Sequence, residues 1–215
     1  MTSDPALQSQ DATETASAEI EISEAERARA GFYALLARLL SAPPDRELLG
    51  QIGDIEGDES VIGEALARLA KLARATDEEA AGDEFSLLFY GKGEGGEVLP
   101  YASYYRTGVL NDKPLADLRS DMAELGIQRG DLNKEPEDHI AFVLEMMHGL
   151  ITGAFGAGAV DVDRQTRFYN EHLAPWAIDF FEDLEAAKSA TLFAAVAGLG
   201  RVFLEIEQDA FRMAA

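Results

Sequence analysis

Residues 140–160 read IAFVLEMMHGLITGAFGAGAV, the most apolar stretch of the chain and long enough to span a bilayer. Glu145 and His148 interrupt it, and glycines at 153, 156 and 158 weaken its second half, so it reads as a buried core helix rather than a membrane span. Ile140, Val143, Leu144, Met147 and Leu150 form one broad apolar face at helical spacing, which makes this the expected central helix. Asn133 or Glu135 can cap it, with Pro136 in the first turn, and the glycines from 153 to 158 end it.

Both flanks repeat the helical period. On the N-terminal side, Ser23 and Glu26 form a capping box ahead of a stripe at Phe32, Leu35, Leu36, Leu39 and Leu40, which Pro43 and Pro44 stop. An acidic connector over residues 45–53 leads to a helix over 60–75. Thr76 and Glu79 suggest a second capping box, opening a helix that closes on EFSLLFYG at residues 84–91. Residues 91–111, GKGEGGEVLPYASYYRTGVLN, lack helical periodicity and read as a long loop of the kind that is often functional. Further helices are expected from Pro114 to Leu125, and over residues 162–173, 175–188 and 191–213. The predicted architecture is all-α: a disordered acidic tail over residues 1–22, then one helical domain over 23–215.

Composition narrows the chemistry. The 215 residues include 18 basic and 40 acidic side chains, a formal charge of -22, the wrong sign for neutralising nucleic-acid phosphates and the right one for attracting basic partners. No cysteine is present, so thiolate metal sites, disulfides and a cysteine nucleophile are excluded. The N-terminus lacks the basic and apolar regions of a secretory signal, which points to the cytoplasm and to no stable membrane insertion.

Three patterns invite other chemistry. Gly91, Gly93 and Gly96 match the dinucleotide fingerprint by spacing, but a helix rather than a strand precedes them, and Glu94 and Glu97 would repel a pyrophosphate. Glu145 and His148 form half of a di-iron carboxylate site whose second half is missing. Glu135, Asp138 and His139 offer ligand atoms at one helix start, yet nothing obvious completes a metal shell. No metal is therefore expected. Carboxylates suit a helix N-terminus, whereas an imidazolium does not, so His139 is expected to be neutral or paired with a carboxylate.

Taken together, Phe85-Ser-Leu-Leu88-Phe89-Tyr-Gly91, then Pro100-Tyr101-Ala-Ser103, then Glu135-Pro136-Glu-Asp138-His139 resemble the TorD/DmsD family of redox-enzyme maturation chaperones, related to NarJ. The likeness runs from the Gly31-Phe32-Tyr33 helix to the C-terminal helices carrying Phe168, His172, Trp176 and Phe203. Phe85 stands where relatives often have Trp or Tyr, and Ala102 where an acid is common. The resemblance implies an all-α, non-catalytic chaperone that binds the twin-arginine leader and immature body of a molybdopterin-dependent oxidoreductase before export. It also implies no cofactor, with weak guanine-nucleotide binding as the one exception the analogy leaves open. Tyr33, Phe85, Phe89, Tyr101 and Tyr105 would make an apolar wall, Glu135 and Asp138 would meet arginine, and Asp138 and His139 would orient one another at the rim. Leu88, Pro100, Ser103 and Pro136 complete the implied client-binding set. The 91–111 loop would close over the client or act as a hinge, as a monomer or a domain-swapped dimer. A NarJ-like assembly factor for a non-exported nitrate reductase subunit, and a helical metal- or nucleotide-binding enzyme, are the alternatives.

Overall fold

A computed structural model describes residues 22–91, 95–128, 135–156 and 158–214, so the acidic tail over residues 1–21 and the proposed cap Asn133 lie outside the described residues. The helices in chain order are α1 (Glu24–Ser41), α2 (Arg46–Gly53), α3 (Val61–Ala75), α4 (Glu78–Phe89), α5 (Ala102–Thr107), α6 (Lys113–Glu124), α7 (Ile140–Thr152), α8 (Val162–His172), α9 (Ala177–Ala186) and α10 (Leu192–Ala214). No strand occurs among the described residues; one isolated antiparallel bridge joins Tyr101 to His139.

α1 and α7 make the most extensive pairing, and α10 packs on α9 and α3. Leu36, Leu39 and Leu40 of α1 and Val143, Leu144, Met147 and Leu150 of α7 are buried in one apolar cluster, as the two stripes predict. Each fully buried side chain of this size stabilises the fold by about 2 kcal/mol relative to exposure. Trp176, Phe180, Phe181 and Phe193 extend the cluster beneath α9 and α10. α7 ends at Thr152, where Gly153 takes φ 75, a left-handed turn that glycine adopts without strain. Among the described residues no helix is long and apolar enough to cross a membrane.

The capping box of α1 is formed: Ser23 Oγ accepts from Glu26 N (3.2 Å) and Glu26 Oε2 from Ser23 N (3.0 Å). Four expectations change. Residues 45–53 hold α2, capped by Asp45 through Leu48 N (2.8 Å) and anchored by Leu49 and Ile52; an eight-residue helix is too short to display a period. Asp77, not Thr76, caps α4, accepting from Ala80 N at 2.8 Å, because Thr76 ends α3 with its hydroxyl donated to Leu72 O (2.8 Å). The 91–111 segment contains α5. Finally, α7 begins at Ile140 with His139 as its cap, so Pro136 precedes the helix rather than occupying its first turn.

Candidate functional site

The site is built where two segments distant in sequence are tied together. Ala102 N donates to Asp138 O (3.0 Å) and Ile140 N to Pro100 O (2.8 Å), on either side of the Tyr101–His139 bridge. The Asp138 carboxylate accepts through Oδ2 from Ser103 N at 2.8 Å. His139 turns its ring back on its own helix, Nδ1 accepting from Ala141 N at 3.2 Å. That bond uses the Nδ1 lone pair and assigns the proton to Nε2. Burial lowers the imidazole pKa to about 4, with nearby Glu135 opposing, so His139 is neutral at physiological pH. Asp138 and His139 thus have separate partners instead of orienting one another.

Tyr101 stands edge-on to His139 (5.3 Å, 78°) and donates its hydroxyl to Glu135 Oε2 at 2.5 Å. Burial and the adjoining carboxylate push its phenol above the usual tyrosine range. Glu137, also buried, binds Arg119 at 2.7 Å.

Opposite stands the end of α4. Phe85 and Phe89, one turn apart, have rings 4.8 Å from each other and 5.6 and 5.8 Å from Phe193. Gly91, at φ 66, stops the helix, its N–H bonding Ser86 O at 2.8 Å, and Val98 N then bonds Leu88 O (2.9 Å), returning the chain toward Pro100. Between these parts lies a pocket of about 100 Å³ lined by Ser41, Phe85, Phe89, Tyr90, Pro100, Tyr101, Glu135, His139 and Phe142.

Six of the sequence-derived residues meet there: Phe85, Phe89, Pro100, Tyr101, Glu135 and His139. The others are elsewhere. Tyr33 is fully buried, its hydroxyl donated to Glu207 Oε2 (2.9 Å) and its ring edge-on to Phe203, so it belongs to the core and not to an open wall. Leu88, Ser103 and Asp138 are buried behind the lining, and Pro136 is half-buried with its carbonyl on His139 N (3.1 Å). Tyr105 faces a second, wider groove of about 600 Å³ with Val98, Leu99, Tyr104 and Asp183. Its hydroxyl donates to Asp183 Oδ2 (2.9 Å), and its ring lies 5.7 Å from Trp176. Sequence reasoning missed Ser41, Tyr90 and Phe142. The signal for Phe142 was an aromatic residue off the α7 stripe, which leaves it half-buried.

Other ligand-bearing side chains among the described residues already have partners. Asp121, Glu171 and His172 bring ligand atoms within 4.8 Å of one another, but Arg167 lies 3.4 Å from Asp121 and 3.2 Å from Glu171, and His172 Nε2 is 2.7 Å from Asp121. His148 turns Nδ1 to Ala30 O (2.9 Å). Gly91 ends a helix, whereas a dinucleotide fingerprint follows a strand; Gly93 is outside the described residues.

The described residues thus form an all-α fold with an aromatic pocket beside a carboxylate. The profile of the family described as the nitrate reductase delta subunit matches residues 56–182. The chain is 31% identical over 207 residues to the chaperone protein TorD of Aliivibrio fischeri, covering 87% of this chain and 96% of that one. It is 33% identical over 155 residues to the TorD of Vibrio cholerae serotype O1, covering 68% and 67%. The crystal structure of a protein described as a redox enzyme maturation protein, from Archaeoglobus fulgidus, matches with a TM-score of 0.57 over 82% of this chain and 93% of that chain; at 20% identity that likeness concerns the fold alone. The chain belongs to this family of TorD-type maturation chaperones.

Proposed function

We propose that this chain holds, in the cytoplasm, the twin-arginine leader and immature body of a molybdopterin-dependent oxidoreductase while its cofactor is inserted. The observation that carries the reading is the pocket in which Phe85, Phe89, Tyr101 and Phe142 form an apolar wall beside Glu135. A leader of this kind presents a basic segment followed by an apolar one. One apolar side chain enters a cavity of this size, which is smaller than the 300–1,000 Å³ typical of small-molecule sites. The arginines meet Glu135 and the field of a chain carrying a formal charge of -22. The wider groove around Tyr104 and Tyr105 offers a separate surface for the enzyme body.

Titration of the partner's synthetic leader against the full chain at two salt concentrations tests this. Affinity is expected to fall as salt rises. Phe89→Ala is expected to weaken binding about tenfold through lost burial, without steepening the salt dependence, and Glu135→Gln to flatten it. A leader that does not bind, while the immature enzyme body does, would favour the NarJ-like role. Absence of binding to both would reject the chaperone reading of this pocket.

A further inference from the structure

α5 has six residues, too few to persist on its own hydrogen bonds, and its N-cap, Tyr101, supplies no side-chain acceptor. The acceptors come from far along the chain: Ser103 N donates to Asp138 Oδ2 (2.8 Å) and Ala102 N to Asp138 O (3.0 Å). One residue therefore satisfies the first two amides of the helix. Asp138 is fully buried, does not line the aromatic pocket, and has no hydrogen-bond partner at Oδ1 among the described residues. In this arrangement Asp138 is closed off from solvent and out of reach of a client's arginine. α5 meanwhile separates the two grooves, with Tyr101 on the narrow one and Tyr104 and Tyr105 on the wide one.

We infer that Asp138 is a positioning residue for client recognition, which seats α5 and so sets the tyrosines of both grooves without touching the client. The inference rests on the function proposed above. It predicts that the carboxylate's oxygen matters and its charge does not, because an asparagine there still offers Ser103 N–H a carbonyl oxygen.

Trp176 is the one tryptophan of the chain and is buried, with the Tyr105 ring 5.7 Å away, so its emission reports whether α5 is seated. In the full chain, Asp138→Ala is expected to red-shift that emission and to weaken binding about tenfold for a synthetic peptide bearing two adjacent arginines and a leucine run. Asp138→Asn restores both, to within about twofold for affinity, and leaves the salt dependence unchanged. Loss of binding in Asp138→Asn with unshifted emission would overturn the inference, since the charge would then meet the client. So would an Asp138→Ala protein unchanged in both readouts. If Asp138→Ala does not fold, Asp138→Asn decides alone: wild-type emission and affinity support the positioning role, and wild-type emission with lost affinity removes it. If the wild-type chain fails to bind the peptide, the leader-binding part of the proposed function falls, and the emission arm by itself tells whether Asp138 seats α5.

Discussion

His139 starts α7, where a protonated imidazole would face the positive end of the helix and lose its bond from Ala141 N. Burial lowers its pKa to about 4, below the ordinary value near 6.5, so folding excludes a proton that the unfolded chain binds. Between those two values the unfolded state carries more protons, and stability rises with pH. The contribution is fully present above about pH 6.5 and is lost as pH falls toward 4, on the order of 3 kcal/mol in all. Urea unfolding from pH 4 to 7 should show this slope in the wild type. His139→Asn keeps an acceptor at the cap and should flatten the slope, while His139→Ala flattens it and also loses about 1 kcal/mol at pH 7. An identical slope in all three would place the titration elsewhere. Six of the nine residues lining the candidate site were named from sequence, because Phe85 and Phe89 share a face by their spacing and Glu135 lies four residues before His139. Tyr33, assigned to the wall by resemblance, lies in the core, and only Glu207, 174 residues away, reveals that its hydroxyl is satisfied inside.

At the scale of elements, the helices with long stripes could be read directly, whereas the caps supplied by other helices could not. α10 is the case in point. Its amino end is satisfied by Glu84 of α4, whose carboxylate accepts from Thr191 N (2.7 Å), Leu192 N (3.1 Å) and Phe193 N (2.7 Å). A negative group aimed at three free amides combines hydrogen bonding with a favourable helix dipole. Glu84→Ala should therefore cost about 2 kcal/mol, and Glu84→Gln less, since an amide oxygen still accepts. Chemical denaturation would measure this; a loss below about 0.5 kcal/mol in both variants would mean that water replaces the carboxylate. No local pattern announces such a cap, because local signatures relate residues three or four apart. α5 was hidden likewise: too short to carry a period, it is held by Asp138 from beyond α6.

At the scale of the whole molecule, the first and last described helices close on each other through one buried acid. Glu207 of α10 receives Arg29 Nε at 2.7 Å and Nη2 at 2.8 Å, and the Tyr33 hydroxyl at 2.9 Å, while the Arg29 guanidinium lies 5.1 Å from the Phe211 ring centre. Glu207 is only 2% exposed, so removing its partner strands a charge away from water. Arg29→Ala should cost about 3–5 kcal/mol, and Tyr33→Phe about 1 kcal/mol. Replacing both charges, as in Arg29→Met with Glu207→Leu, should recover most of the loss, because the penalty belongs to the unpaired carboxylate more than to the missing attraction. The same comparison separates fold from recognition. Tyr33 lies in this network and not in the aromatic pocket, so Tyr33→Phe should lower the denaturation midpoint and leave the affinity for an arginine-bearing leader unchanged. A Tyr33→Phe protein with wild-type stability but weakened binding would instead return this tyrosine to the client-binding wall.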